Sequence, residues 1–430
     1  MARLPTRLLA AAVLVIVIAG CGSREDPVAV EPGTAAIEWA PCGTIECAPF
    51  RVPLDRAVTS FGFGKTIELR AYRQLSSAEG SRHLPLIIHP GGPGADVRAA
   101  VEGARTLLAP IIDDFDVYAL STRGAIDGTA FDCGNSLADL LIIDIDKAAA
   151  ERFAADCKER SGELIGRIGT RDSVDDLEQF RRTLGFDKIR FLGWSYGATL
   201  GATWAMTYPR SIRAMVLDAP VDPREKWPTL MKQRADRARS LYVALLHDAA
   251  EAEPKLPRLT SREVGLAREY VLYEGGLDLL KTAIAQGGKK FAELAHLRLG
   301  VTPQGVNDGG IETQIGVHCS DESQSDALEA VRMAEPEPWV GFGATFDRIC
   351  VQLGGSRRPL RDLTVDSSSD SVEVMVVSTS GDHVVTTEQS VSLAQSMRWK
   401  SVVIDGRRHL TVGFDAVATK KAMAFLAVGD

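Results

Sequence analysis

The chain reads as an α/β protein: a mostly parallel sheet with helices on both faces and a helical segment inserted late in the order. Three observations predict this. The apolar runs Leu84–His89, Phe115–Leu120, Lys188–Leu192 and Ala214–Leu217 are continuous, as in strands buried on both faces. They alternate with helical stretches such as Ser173–Leu184 and Tyr196–Tyr208. The rhythm stops after Asp222-Pro223, gives way to helical patterns from Lys226 to about Leu299, and resumes with Val372–Ser378 and Ser401–Ile404.

The elements follow in order. Arg3 and Arg7 precede the apolar run Leu8–Ile18, which is shorter than the roughly 20 residues a bilayer span needs. Residues 1–20 therefore read as a secretory leader. Ile18-Ala19-Gly20-Cys21 resembles the cleavage box of bacterial lipoproteins, in which the cysteine becomes the acylated first residue. Cys21 is the expected lipidation site. The expected location is the outer face of the cell membrane or cell envelope, with the membrane as partner through that anchor. Residues 21–38, polar and Pro-containing, suit a tether. Residues 39–223 form the N-terminal part of the core, 224–317 a helical cap, and 318–430 the C-terminal part.

Within the core, Ser173 can cap the helix that runs to Leu184, with Asp175 and Asp176 in its first turn and Arg181 and Arg182 in its last. Val174, Leu177, Phe180 and Leu184 share one face, and Gly185 ends it. Thr229–His247 is one helix of the cap, and Ala416–Val428 is a closing helix. Asp366–Ser371 (DSSSDS) reads as an exposed loop.

Composition narrows the function. The 430 residues are 45% hydrophobic and 25% charged, as in a globular protein of one large or two moderate domains. A net charge of −8 argues against nucleic acid as a partner. Beyond Cys21, six cysteines fall into sequence-local pairs, and an exported chain is expected to join them as Cys42–Cys47, Cys133–Cys157 and Cys319–Cys350. No Cys-x-x-Cys or paired His spacing occurs, so neither a metal nor another cofactor is expected.

The chemistry centres on Ile189–Leu200, IRFLGWSYGATL. Here a buried strand turns directly into a helix, with Ser195 between Gly193 and Gly197. Such a turn strains the serine backbone and exposes its hydroxyl. The hydroxyl needs a general base. Only His383 and His409 follow the last helical stretch, and His409 lies just past the final strand. Asp382, at the end of the preceding strand, fits the acid that orients it. The order Ser195, Asp382, His409 is that of α/β-hydrolases. His383 is the rival base and Asp218 the rival acid. The Tyr196 N–H suits one oxyanion donor, and Pro90-Gly91-Gly92-Pro93-Gly94 supplies a second, Gly92 or its neighbour Gly91.

Together these residues resemble the exported tripeptidyl-aminopeptidase-like branch of the proline-iminopeptidase family, members of the α/β-hydrolase fold. PGGPG at Pro90–Gly94 and GWSYG at Gly193–Gly197 carry the likeness most strongly. Trp39-Ala40-Pro41-Cys42 with Val52-Pro53-Leu54-Asp55 is similar to the branch's N-terminal signature. Val216–Pro223 resembles the segment entering its cap, and His318–Asp321 the segment leaving it. There are departures. Ser121-Thr122-Arg123-Gly124 stands for Asp-Pro-Arg-Gly; His383 and Val385 stand for a Pro and a Thr; Arg408 and Leu410 stand for glycines; and the cap is short. The resemblance implies a Ser195–Asp382–His409 serine peptidase that removes short peptides from a free N-terminus. Such an enzyme needs a carboxylate for the substrate ammonium, and Asp321, Glu322 and Glu312 are the candidates. The substrate is then a small peptide. A carboxylesterase acting on small esters is the alternative within the fold, and a catalytically degenerate surface-binding lipoprotein the alternative outside enzymes.

Overall fold

The computed structural model describes residues 36–59, 64–134, 147–233, 236–237, 310–334, 341–382 and 384–428. Among them nine strands form one sheet: β1 (Ala40–Cys42), β2 (Ile45–Pro53), β3 (Thr66–Gln74), β4 (Leu84–His89), β5 (Phe115–Leu120), β6 (Ile189–Trp194), β7 (Ile212–Asp218), β8 (Val374–Thr379) and β9 (Lys400–Ile404). Their spatial order is β1-β2-β3-β5-β4-β6-β7-β8-β9. The pairs from β5 across to β9 are parallel, and those among β1, β2, β3 and β5 antiparallel. Among the described residues, the helices of ten residues or more are α1 (Val97–Leu107), α2 (Lys147–Ser161), α3 (Thr170–Thr183), α4 (Tyr196–Thr207), α5 (Gly310–Asp321), α6 (Gln324–Ala334), α7 (Gly341–Leu353), α8 (Thr387–Ser396) and α9 (Ala416–Leu426).

Strand alternation divides the core into two layers. Leu86, Ile88, Leu192, Val216 and Val377 pack against Val101 of α1 and Met423 of α9. Ile87, Phe191, Met215, Leu217 and Val376 face Phe180 of α3, Trp204 of α4 and Leu393 of α8. Each such buried side chain contributes roughly 1.5–3 kcal/mol. β4 has β5 on one side and β6 on the other, so the strand order reverses at its C-terminal end. Ligands bind in the crevice outside such a switch point, and both PGGPG and Ser195 lie there.

Several expectations are corrected. The antiparallel strands β1 to β3 were not foreseen; β1 and β2 carry Pro41, Pro49 and Pro53, which positions near a sheet edge tolerate. Helix α3 begins at Thr170 instead of Ser173, which is buried inside it. Asp321 causes this extra turn: its carboxylate accepts from the Thr170 N–H at 2.7 Å, a cap delivered from another helix. The tract Asp366–Ser371 is not simply an exposed loop. Ser369 is buried, and its carbonyl accepts from Trp399 Nε1 at 3.1 Å.

Cys133–Cys157 and Cys319–Cys350 are joined as expected. Cys42–Cys47 is a correction: both are free thiols. In the β1–β2 hairpin Cys42 pairs with Ile45 and Cys47 with Ala40. The two cysteines are thus diagonal neighbours, a pairing whose spacing exceeds the ~4 Å between Cβ atoms that a disulfide prefers. Burial, then the hydrogen bond to Cys47, pushes the Cys42 thiol up to about 11.

Residues 227–233 are helical. Residues 234–235 and 238–309 of the expected cap, including most of Thr229–His247, lie outside the described residues, as do the leader, Cys21 and most of the tether. Helix α5 runs unbroken through residue 317, where cap and core were expected to meet.

The loop after β5 shows why its arginine matters. Arg123 is buried, and all five of its N–H donors are used. Two bond Asp176 at 2.6 and 2.9 Å, and the others bond the carbonyls of Pro53, Leu54 and Arg167. One side chain therefore ties the end of β2 to α3, below the crevice.

Candidate active site

Ser195 ends β6 and starts α4, with φ +53 and ψ −121. Its N–H donates to the Asp218 carbonyl at 2.8 Å. The neighbouring glycines make the turn possible by close approach. A Cβ at Gly197 would lie well inside contact distance of the His89 carbonyl oxygen. A Cβ at Gly91 would lie 2.5 Å from the Trp194 oxygen. The PGGPG loop thus passes directly over the nucleophile turn. Ser195 itself is half-buried and open to an incoming carbonyl.

Ser195, His409 and Asp382 come from three loops and meet. His409 Nε2 accepts from Ser195 Oγ at 3.0 Å, and its Nδ1–H donates to Asp382 Oδ2 at 2.7 Å. Asp382 is fully buried, and its second oxygen accepts the N–H groups of Val384 and Val385 at 2.8 and 3.1 Å. Both lobes of the carboxylate are thereby fixed, one to the backbone and one to the imidazole. This is the geometry in which an alcohol is deprotonated by a base held in a single tautomer. The rival base His383 lies outside the described residues. The rival acid Asp218 bonds no imidazole in this arrangement; its carboxylate accepts the N–H groups of Thr411 and Val412.

The alpha/beta hydrolase fold family matches residues 85–415. The chain belongs to that family. With Ser195 bonded to His409, this α/β-hydrolase is a serine hydrolase. It is 25% identical to the Serine protease Hip1 of Mycobacterium tuberculosis, over 94% of this chain and 91% of that protein. It is 30% identical to the Tripeptidyl aminopeptidase of Streptomyces lividans over 45% of this chain and 40% of that one. Among solved structures, the proline iminopeptidase of Mycobacterium smegmatis superposes with a TM-score of 0.41 at 16% identity, covering 88% of this chain and 97% of that one.

The α/β-hydrolase also contains site-flanking residues that sequence reasoning did not assign. His89 ends β4, fully buried, and its Nδ1 accepts the Gly91 N–H at 3.2 Å. Burial pushes its imidazole down to about 4, so it is neutral and serves as an acceptor that shapes the loop. Its position beside PGGPG was the available signal. Tyr196 Oη bonds Thr170 Oγ1 at 3.0 Å, and Thr170 Oγ1 donates to Asp321 Oδ2 at 2.6 Å. This chain links the nucleophile helix α4 to the ends of α3 and α5. Nothing in local sequence announces it.

The three carboxylates considered for a substrate amine have different fates. Asp321 has both oxygens engaged by Thr170, and burial raises its carboxyl to about 7. Glu322 stands one residue beyond α5, raised by burial to about 8. Glu312 is buried in the first turn of α5. That turn lies on the PGGPG loop: a Cβ at Gly94 would meet the Thr313 Cβ at 2.9 Å and the Gly310 oxygen at 3.0 Å.

Proposed function

We propose that this serine hydrolase is an exported peptidase that releases short peptides from the free N-terminus of its substrates through an acyl-enzyme on Ser195. The observation that carries the reading is the hydrogen-bonded run Ser195–His409–Asp382 at the switch point of the sheet. Ser195 Oγ attacks the scissile carbonyl while His409 Nε2 takes its proton. Asp382 stabilises the imidazolium. The N–H groups of Tyr196 and Gly92 hold the oxyanion; Gly92 is favoured over Gly91 because the Gly91 N–H is engaged by His89. His409 returns the proton to the leaving amine, and water then releases the acyl group.

The preference for peptides is supported by the names of the relatives, a serine protease and a tripeptidyl aminopeptidase. Of the candidate carboxylates we assign the substrate ammonium to Glu312, whose helical turn overlies the oxyanion loop. Two disulfides support an oxidising, exported location. In this reading Cys21 is acylated and anchors the protein at the outer membrane face, and residues 224–317 cap the crevice.

A substrate comparison tests it. Tripeptide p-nitroanilides with a free amine are expected to turn over faster than p-nitrophenyl esters, and N-acetylation is expected to abolish cleavage. Ser195→Ala is expected to lower kcat by about 10^4-fold or more. Faster ester turnover with no need for a free amine would make the protein a carboxylesterase. A wild-type protein that no fluorophosphonate labels would be a surface-binding lipoprotein.

A further inference from the structure

We propose that Asp218 is the positioning residue of the base: its carboxylate clamps the turn after His409 and so holds the imidazole over Ser195. The mechanism above makes no use of this buried acid. Asp218 is the last residue of β7 and is fully buried. Its Oδ2 accepts the N–H groups of Thr411 and Val412, both at 2.7 Å, and its Oδ1 faces Thr411 Oγ1 at 3.4 Å. Its backbone carbonyl takes the Ser195 N–H at 2.8 Å. One residue therefore grips the nucleophile turn with its main chain and the base's loop with its side chain.

The grip acts on a turn that resists its own conformation. Leu410, directly after His409, has φ +76. A left-handed backbone costs a residue with a Cβ of this kind roughly 1–2 kcal/mol. The loop adopts it because the next two N–H groups converge on one carboxylate oxygen. Trp194 Nε1 closes the same turn from the other side, donating to the Val412 carbonyl at 2.9 Å. Leu410 also packs on Ala219, Val384 and Val385, beside the Asp382 loop. Without the clamp the turn relaxes toward right-handed backbone, and the imidazole leaves its line with Ser195 Oγ. Asp218 hydrogen-bonds neither reacting group through its side chain; those bonds go to the loop that carries His409.

The inference rests on His409 as base but not on the identity of the substrate. It is tested with a p-nitrophenyl ester and a fluorophosphonate probe. Labelling of wild type at Ser195 tests the hydrolase reading; relative rates among variants test the clamp. Asp218→Ala is expected to cut kcat and the labelling rate by about 100-fold, the scale of a 1 Å misplacement, with KM little changed. Asp218→Asn keeps an acceptor for both N–H groups without the charge, and is expected to recover activity to within about tenfold of wild type. Adding Leu410→Gly to Asp218→Ala is expected to restore part of kcat, because glycine takes the left-handed turn unaided. If folded Asp218→Ala keeps wild-type kcat, the clamp is wrong. If Asp218→Asn, folded, loses as much as Asp218→Ala, charge and not the clamp is what matters, and the proposal falls. Should Asp218→Ala not fold, the Asp218→Asn rate alone decides in the same way: a folded protein slowed by 100-fold or more sinks the idea.

Discussion

Two turns meet at this site, and each puts a residue with a side chain where backbone favours glycine. Ser195 has φ +53 and Leu410 φ +76. The elbow at Ser195 is announced locally, by the strand before it, the helix after it and the glycines that let the backbone of His89 and Trp194 close in, with the Asp218 carbonyl taking its N–H. The Leu410 turn is held from afar, by a carboxylate 193 residues upstream of Thr411. The difference teaches where strain is visible. A turn that needs glycines beside it leaves a motif; a turn stabilised by a distant carboxylate leaves none.

Four substitutions would break or sharpen that contrast. The largest effect is expected at the elbow's packing. Gly197→Ala drives a Cβ into backbone, which cannot yield as a flexible side chain would, and is expected to cost about 3 kcal/mol in urea unfolding. A silent substitution would mean that the elbow is not held by close approach. Next come the strained residues themselves. Ser195→Gly relieves the left-handed strain and is expected to raise stability by about 1 kcal/mol while removing activity. Leu410→Gly gains similarly but loses apolar packing, so its stability is expected within about 0.5 kcal/mol of wild type.

The smallest effect separates the two supports by pH. Burial raises Asp321, behind the elbow, to about 7, and Asp218, behind the loop, to about 6. Unfolded aspartates titrate near ~3.9. The native protein therefore binds protons that the unfolded chain has released, and each contribution falls as pH rises from about 4 through the native value. Above about pH 6 the Asp218 contribution is largely spent, while those of Asp321 and of Glu322, raised to about 8, are still falling. Asp321→Asn is expected to flatten the decline in thermal midpoint between pH 6 and 8 by about 2 °C, measured by circular dichroism. An equally steep profile in the variant would remove Asp321 from the account.

The parallel core was legible because its strands are continuous apolar runs, and the nucleophile because glycines flank a serine at a strand-to-helix turn. Asp382 and His409 were legible from chain order. What escaped depends on contacts across the fold. The start of α3 was misplaced by one turn because Asp321, 151 residues away, supplies its cap. β2 was not foreseen; its prolines are ones that an edge-side strand can carry. Cys42 and Cys47 are close in sequence, but hairpin register sets them diagonally. Arg123, noted only as part of Ser121–Gly124, is a buried five-bond anchor, since only the folded neighbours reveal its acceptors. Of three similar carboxylates in α5 and just beyond, sequence could not tell that Asp321 already serves Thr170.

The distance along the chain between alcohol and imidazole, 214 residues, has a consequence for biosynthesis. Ribosomes work from the amino end, so Ser195 is polymerised long before the group that takes its proton exists. A nascent or prematurely terminated polypeptide carries the serine without Asp382 and His409, and is chemically inert. Latency during manufacture comes from the order of the polymer itself.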